Sequence, residues 1–309
     1  MPPLVTVIIP AHNCEPYIDE TLDAVLAQTL DDFELIVVDD GSTDGTRARV
    51  TARSDPRIRL LPQANAGVCV ARNHGIREAR GRYVCLLDHD DYWYPDKLAS
   101  QVALLEADRR AGVVYSSFIL WHRGADGRFP APAAYDVGET GIDPDYSGWI
   151  YHQFLIDCWM LTSTAMFRRE VFEQCGSFDE SLPYSEDWDL WLRISQVYPF
   201  IKQTQATTLY RQHPLQGNRK VRDTDYRTQL LETAVRRWGY CSRDGRCTDV
   251  AAFKRQLARY HLSYGFGHLR AGNRLHGVKA CVRAWRNATT DMRYLGYAMA
   301  ALAGWTPRW

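Results

Sequence analysis

Residues 33–46 read FELIVVDDGSTDGT, and this stretch decides the fold. Leu35-Ile36-Val37-Val38 is a continuous apolar run rich in β-branched side chains, as in a strand buried on both faces. Asp39-Asp40-Gly41 ends it abruptly. Ser42-Thr43-Asp44 then offers side-chain oxygens able to cap the helix that follows. A buried strand that turns through a polar loop into a helix is the repeating unit of a parallel sheet.

The same unit recurs on both sides. Upstream, Val5–Ile9 is an apolar strand ended by Pro10, and Pro16, Ile18, Leu22, Val25 and Leu26 follow at helical spacing. Downstream come a short strand at Ile58–Leu61, a helical pattern from about Gly67 to Ala79, and a strand at Tyr83–Leu87. Asp88-His89-Asp90 closes that strand; Leu98, Val102 and Leu105 mark another helix, and Val113–Leu120 another strand. The expected fold class is α/β: a Rossmann-like, mostly parallel sheet with helices on both faces, followed by a C-terminal helical extension. Such sheets bind ligands beyond the carboxyl ends of their strands. The polar ends Ala11-His12-Asn13, Asp39-Asp40 and Asp88-His89-Asp90 should therefore face one crevice.

Residues 123–148 are rich in Gly, Pro, Asp and Ala and read as irregular loop. A second ordered segment runs from Trp149 to Tyr210 and contains SEDWDLWLRIS, helical from Asp187 onward. After Pro214 the pattern is helical and basic. Phe253, Leu257, Tyr260 and Tyr264 form one apolar stripe, and Val278, Cys281, Val282 and Trp285 another, with Lys279, Arg283 and Arg286 on a different face. Two domains are expected, 1–215 and 216–309, the first divided near residue 120.

Composition excludes several classes. With 309 residues, 46% hydrophobic and 12% aromatic, the chain is ordered and globular. Its formal net charge of +0 hides a polarity: residues 211–309 hold 19 Lys+Arg against 6 Asp+Glu, and the rest 18 against 31. The C-terminal part should face an anionic membrane surface or pack as an appendage with a solvated basic face; both remain open. No nucleic-acid partner is expected. The eight cysteines show no metal-ligand spacing and are expected to be buried reduced thiols. MPPLVTVIIP lacks a basic region ahead of its apolar run, and Tyr294–Trp305 falls short of the roughly 20 residues that span a bilayer. A cytoplasmic protein, at most peripheral on the inner face of the plasma membrane, is expected.

The chemistry rests on a few short motifs. Asp88-x-Asp90 at a strand end suits a divalent cation held between carboxylates and a phosphate, and equally suits a solvated turn. Asp40 is placed either to cap a helix or to accept the N3–H of a pyrimidine base. Arg72 lies near the base or diphosphate, or is a surface arginine. Glu186-Asp187 opens a helix, where the helix dipole favours acids; alternatively Asp187 is a general base. His213, in YRQHP, is a ligand or a structural histidine.

Taken in order, VTVIIPAHN, FELIVVDDGSTDGT, NAGVCVARNHGI, YVCLLDHDDYWYPDKL and SEDWDLWLRIS resemble the family 2 inverting glycosyltransferases of the GT-A fold, over about residues 4–215. The resemblance implies that residues 1–120 bind a nucleotide-sugar and 121–215 the acceptor. It implies donor contacts from Pro10, Ala11, His12, Glu15, Asp40, Gly67, Arg72, Asp88, His89, Asp90 and Arg211. It implies Mn²⁺ or Mg²⁺ held by Asp90, Asp88 and His213, with Asp187 as the base. Read from the residues alone, Trp149, Trp159 and Tyr184 either stack on the sugar rings of a saccharide or lipid-linked glycan acceptor or belong to the core, and Glu186 is expected on the acceptor side with them. The expected reaction is metal-dependent inverting transfer of a hexose, with UDP or dTDP favoured as the nucleotide. His12 departs from the aromatic tyrosine of many members, and Arg237-Trp238 lacks the upstream glutamine of processive synthases. A nucleotidyltransferase acting on sugar phosphates is the alternative, but Ala11-His12-Asn13-Cys14-Glu15 is not a Gly-rich phosphate loop. A non-catalytic sugar-nucleotide-binding partner is the other.

Overall fold

A computed structural model describes residues 2–214, 216 and 221–307, in two compact units. The first comprises 1–150 and 158–214; the second comprises 151–157 and 215–309. The boundary expected at 215 falls on a residue outside the described set.

The first unit is built on an eight-stranded sheet: β1 (Val5–Ala11), β2 (Phe33–Asp40), β3 (Ile58–Gln63), β4 (Tyr83–Leu86), β5 (Tyr92–Trp93), β6 (Val113–Trp121), β7 (Ala165–Arg168) and β8 (Phe200–Arg211). The strand order is β3-β2-β1-β4-β7-β6-β8-β5. β3, β2, β1 and β4 run parallel, as does β6 with β8, whereas β7 pairs antiparallel with β4 and β6, and β5 antiparallel with β8. The periodicity reading missed β5, β7 and β8. Their pairings join distant segments and leave no local signature.

Every residue of β1 and β2 is buried, so both faces of the sheet centre are covered. Val5, Val7 and Ile9 point to one face, where they share a core with Ile18, Leu22 and Val25 of α1 (Ile18–Leu26) and with Leu98 and Leu105 of α4 (Lys97–Ala107). α2 (Thr46–Thr51) and α3 (Val68–Glu78) connect the early strands. α6 (Arg169–Cys175) follows β7, and α7 (Glu186–Ile194) precedes β8. Residues 122–148 are largely irregular, with one 3-10 turn at Pro132–Ala134.

In the second unit, α5 (Tyr151–Phe154) joins α8 (Tyr226–Trp238), α9 (Val250–Arg270), α10 (Arg274–Asn287) and α11 (Arg293–Leu302). The two apolar stripes read from sequence are largely used inside this unit: Phe253, Leu257 and Cys281 are buried. α9 and α10 cross at Gly265 and Gly277. A Cβ on Gly265 would lie 2.9 Å from the Ala280 Cβ and 3.1 Å from the Gly277 carbonyl oxygen, so the crossing favours a residue without one. One cysteine expectation is corrected. Cys241 and Cys247 form a disulfide, closing a turn in which Ser242 N–H donates to the Arg246 carbonyl oxygen. The other six are free thiols, of which Cys158 and Cys175 are only half-buried.

Candidate functional site

The β1–β2 register pairs Ala11 with Asp39, and the β1–β4 register pairs Ile8 with Leu86. Continued by two residues, the second register sets Asp88 level with Pro10. His89 Nδ1 accordingly donates to the Pro10 carbonyl oxygen at 3.0 Å. The three polar strand ends lie on one edge of the sheet, as parallel pairing dictates.

At the β1–β2 end the carboxylate of Asp40 organises a loop. It accepts from Gln63 Nε2 and the Ala66 N–H at 2.8 Å each, and from the Gly67 N–H at 2.9 Å. Gly67 has φ +96°, a conformation costly for any residue with a Cβ. His12 Nδ1 donates to the Asp40 carbonyl oxygen at 2.8 Å, which leaves Nε2 to accept from Asn65 Nδ2 at 3.1 Å. The His12 ring is exposed. Asn13 has φ +48°, tolerated because its amide oxygen accepts the Thr43 N–H at 2.8 Å. Glu15 is turned to local duties. It accepts the Gly45 N–H at 3.0 Å and pairs with Arg49 at 3.1 Å.

At the end of β4 the acidic turn is held from several directions. Arg72 Nη2 lies 2.7 Å from Asp88 Oδ1, and His213 Nε2 lies 2.7 Å from Asp90 Oδ2. Asp91 Oδ2 accepts from Ser163 Oγ at 2.6 Å and Oδ1 from the Arg211 N–H at 3.1 Å. Ser163 Oγ in turn accepts the Asp88 N–H, and Thr21 Oγ1 donates to the carbonyl oxygens of His89 and Asp91. Burial raises the Asp91 carboxyl well above the usual range, and the charges of Asp90 and Asp88 add to the rise. Burial acts the same way on Asp90, but the His213 hydrogen bond and the two nearby imidazoles hold its carboxyl below its ordinary value.

Arg72 also reaches forward in the chain. Its Nη1 lies 2.9 Å from Glu186 Oε1 at the start of α7, and its guanidinium stands 5.1 Å from the Phe178 ring centroid. It is buried, and the attraction of Asp88 and Glu186 outweighs the cost of burying its charge. Arg72 is therefore a buried bridge between the acidic turn and α7, which rules out the reading as a surface arginine. Ser185, just ahead of Glu186, has φ +61° and ψ +24°, a strained setting for serine that turns the chain into the helix. Asp187 follows. Burial raises its carboxyl to about 7, and the adjacent Glu186 charge adds to the effect while Arg72 opposes it.

Arg211 is buried in an aromatic cage: its guanidinium carbon lies 4.0 Å from the Trp121 ring centroid, 4.6 Å from Phe129 and 5.1 Å from Tyr17. Its Nη2 pairs with Glu20 at 2.6 Å, and its Nε donates to the Asp90 carbonyl oxygen at 2.5 Å. Tyr17 also contacts the His213 ring, with centroids 4.8 Å apart. Ser163, Thr21, Glu20 and the cage aromatics had no sequence signal. Ser163, for example, lies 75 residues from the Asp88 amide it serves.

Trp159 packs against Tyr146 and donates to the Tyr115 hydroxyl, while Trp149 and Tyr184 are half-buried.

The donor chemistry of the turn fits Mn²⁺ or Mg²⁺ in one form only. Carboxylate oxygens and an imidazole suit such ions, and each present pairing uses one of the two oxygens of Asp88 and of Asp90. His213 Nδ1 is buried without a hydrogen-bond partner. Yet among the described residues no three His, Cys, Asp or Glu side chains gather as an ion site. The three-residue protein set expected from Asp88, Asp90 and His213 is thus not assembled, because Arg72 holds Asp88 and His213 holds Asp90. An ion completed by substrate phosphate oxygens remains compatible, the usual arrangement for Mg²⁺.

An α/β sheet with its polar strand ends on one edge, an acidic turn there and an acid-led helix beside it defines the class. The chain belongs to glycosyl transferase family 2, whose model matches residues 6–176. An uncharacterized glycosyltransferase of Rickettsia felis is 31% identical over 74% of this chain and 37% of its own length. The chain thus spans little more than a third of that relative. Among solved structures, S. aureus TarS 1-349 in complex with UDP-GlcNAc is 18% identical with TM-score 0.63, covering 97% of this chain and 87% of that one. The mannosyltransferase PcManGT from Pyrobaculum calidifontis, in complex with GDP-Man and Mn²⁺, is 22% identical with TM-score 0.58, covering 98% and 87%. These likenesses show the GT-A fold.

Proposed function

We propose that this glycosyltransferase moves a hexose from a nucleoside-diphosphate sugar to a hydroxyl of a saccharide or lipid-linked glycan, with inversion at the anomeric carbon. The observation that carries the reading is Asp187: a carboxyl tuned to about 7, at the start of α7, tied through Glu186 and Arg72 to the acidic turn. A base with that acidity is half-ionised near neutral pH and strong enough to take a hydroxyl proton in the transition state.

Asp187 removes the proton of the acceptor hydroxyl as that oxygen bonds to the anomeric carbon. The bond from that carbon to the diphosphate oxygen breaks, and the nucleoside diphosphate leaves from the opposite face. The carboxylates of Asp90 and Asp88, completed by diphosphate oxygens of the substrate, would hold Mn²⁺ or Mg²⁺, which when bound supplies positive charge against the departing diphosphate. Arg72 keeps Asp88 and Glu186 oriented, and the caged Arg211 adds fixed positive charge behind Asp90. Asp40, with three protein N–H groups already accepted, keeps capacity for one more donor, which supports a pyrimidine N3–H and hence UDP or dTDP. That TarS binds UDP-GlcNAc and PcManGT binds GDP-Man and Mn²⁺ supports the donor class without choosing the base. The domain reading is likewise ours: the donor near residues 1–120, the acceptor near 121–215, and a basic helical region from 216.

The test is a thermal-shift panel of UDP-, dTDP- and GDP-sugars with and without Mn²⁺, followed by product analysis by NMR. A stabilising UDP-sugar whose product carries the opposite anomeric configuration is expected. A retained configuration overturns the mechanism, and stabilisation by GDP-sugars alone overturns the assignment of Asp40.

A further inference from the structure

We propose that the second unit carries a docking surface for an anionic lipid bilayer, formed by the outer face of α11 and the first residue pair of α10. The four most exposed large apolar side chains in the described residues all belong to it: Leu275 (64%), Met292 (60%), Met299 (62%) and Leu302 (64%). Met292, Met299 and Leu302 stand seven and three residues apart, which sets them on one side of the helix. Ala298 and Ala301 point the other way, into a core with Phe266, Leu269 and Cys281. The start of α10 meets the end of α11, since Arg274 Nη2 would lie 3.4 Å from a Cβ placed at Gly304. That contact brings Leu275 to the same end of the unit as Leu302.

The helix is apolar well beyond what its packing uses. Residues 294–307 contain no charged side chain, although α11 is a surface helix. Along the chain beside it the charge is mostly basic: residues 271–307 hold five Lys+Arg and one Asp, which pairs with Arg293. Arg274 and Lys279 are exposed and form no ion pair with a described residue, whereas Arg283 and Arg286 line a pocket with Asp225 and Glu232. Exposed apolar anchors with the cation of Arg274 at their end match a bilayer interface, where methionine and leucine enter the acyl boundary and basic groups meet lipid phosphates. The same charges argue against a second copy on this face, because pairing would bring two basic rims together. The surface differs from the amphipathic stripes legible in the sequence, which the unit spends largely on its own core.

The inference stands apart from the donor and acceptor reading, and its test needs no sugar nucleotide. The full chain is sedimented with vesicles of phosphatidylcholine containing about 30 mol% phosphatidylglycerol and with vesicles of phosphatidylcholine alone. Binding at least tenfold tighter to the anionic vesicles and weakened by added salt is expected. The Met299→Glu, Leu302→Glu double variant should lose at least tenfold of it while keeping its unfolding temperature, because neither side chain enters the core. Arg274→Ser with Lys279→Ser should weaken it without touching the apolar face. Absence of vesicle binding overturns the proposal. So does binding that both variants retain. A chain that elutes as a dimer and becomes a monomer in the double variant, without binding vesicles, assigns the face to a second copy and overturns it as well.

Discussion

Arg72, on the third helix, donates to Glu186 Oε1 at 2.9 Å across 114 residues of sequence, while its other terminal nitrogen holds Asp88. One buried cation therefore neutralises two carboxylates that approach from opposite sides of the site. Removing it leaves Asp88, Glu186 and Asp187 facing one another uncompensated. Arg72→Ala should lower the unfolding free energy by about 3–5 kcal/mol. Arg72→Lys should recover only part of that, since an ammonium lacks the fork that spans both partners. Denaturant titration measures both; an unchanged midpoint for Arg72→Ala would mean that the bridge does not form.

The acidity of Asp187 sets a pH profile. A base must be ionised to accept a proton, and its carboxyl lies at about 7. kcat/KM should be level above that pH and fall about tenfold per unit below it. Asp187→Asn should lose roughly 10²–10⁴ in kcat while donor affinity persists. A profile level down to pH 5 would remove Asp187 from the role of base.

The same residue links stability to pH, with a sign that runs against activity. Its carboxyl is near 3.8 unfolded and about 7 folded, so the folded chain binds the proton more tightly between those values. Above about 7 the ionised, buried group is a destabilising charge; below about 4 it is protonated in both states and contributes nothing. Asp187→Asn should therefore raise the unfolding free energy at pH 8 by a few kcal/mol, and the unfolding temperature with it, and leave both nearly unchanged at pH 4. Calorimetric scans at the two pH values decide the matter.

Asp90 should matter for nucleotide binding only when the ion is present. Asp90→Ala should weaken UDP binding at least tenfold with Mn²⁺ and leave it unaltered in a chelator, as measured by titration calorimetry. Equal losses in both conditions would point to a folding defect in the turn.

Ser163 offers a test of the supports beneath that turn. Its hydroxyl donates to Asp91 and accepts the Asp88 amide, so Ser163→Ala leaves two buried polar groups unmatched. A loss of about 1–3 kcal/mol is expected from thermal unfolding.

What the sequence made legible was local. Runs such as Leu35–Val38 carry their strand character in four residues, and the parallel order of β1, β2 and β4 follows from the helices between them. Asp88, Asp90 and the Glu186-Asp187 pair were recognisable because their motifs are short. Contacts across distance were not. The bridge made by Arg72 was hidden because its partner Glu186 is far along the chain, and Ser163 had no motif at all. The disulfide between Cys241 and Cys247 escaped because six-residue spacing is no signature without the turn that joins them. α11 looked like a stretch too short to cross a membrane, and only its packing reveals which side it leaves bare.

The bridge from Asp88 through Arg72 to Glu186 has a consequence for how such a site can change over generations. A substitution at any one of the three strands the charge of the others, so single steps are costly and compensated steps must come together. Positions 72, 88 and 186 should drift as one unit across relatives, preserved as a set or exchanged as a set. The acidic turn and the start of α7 should, in that sense, be inherited jointly.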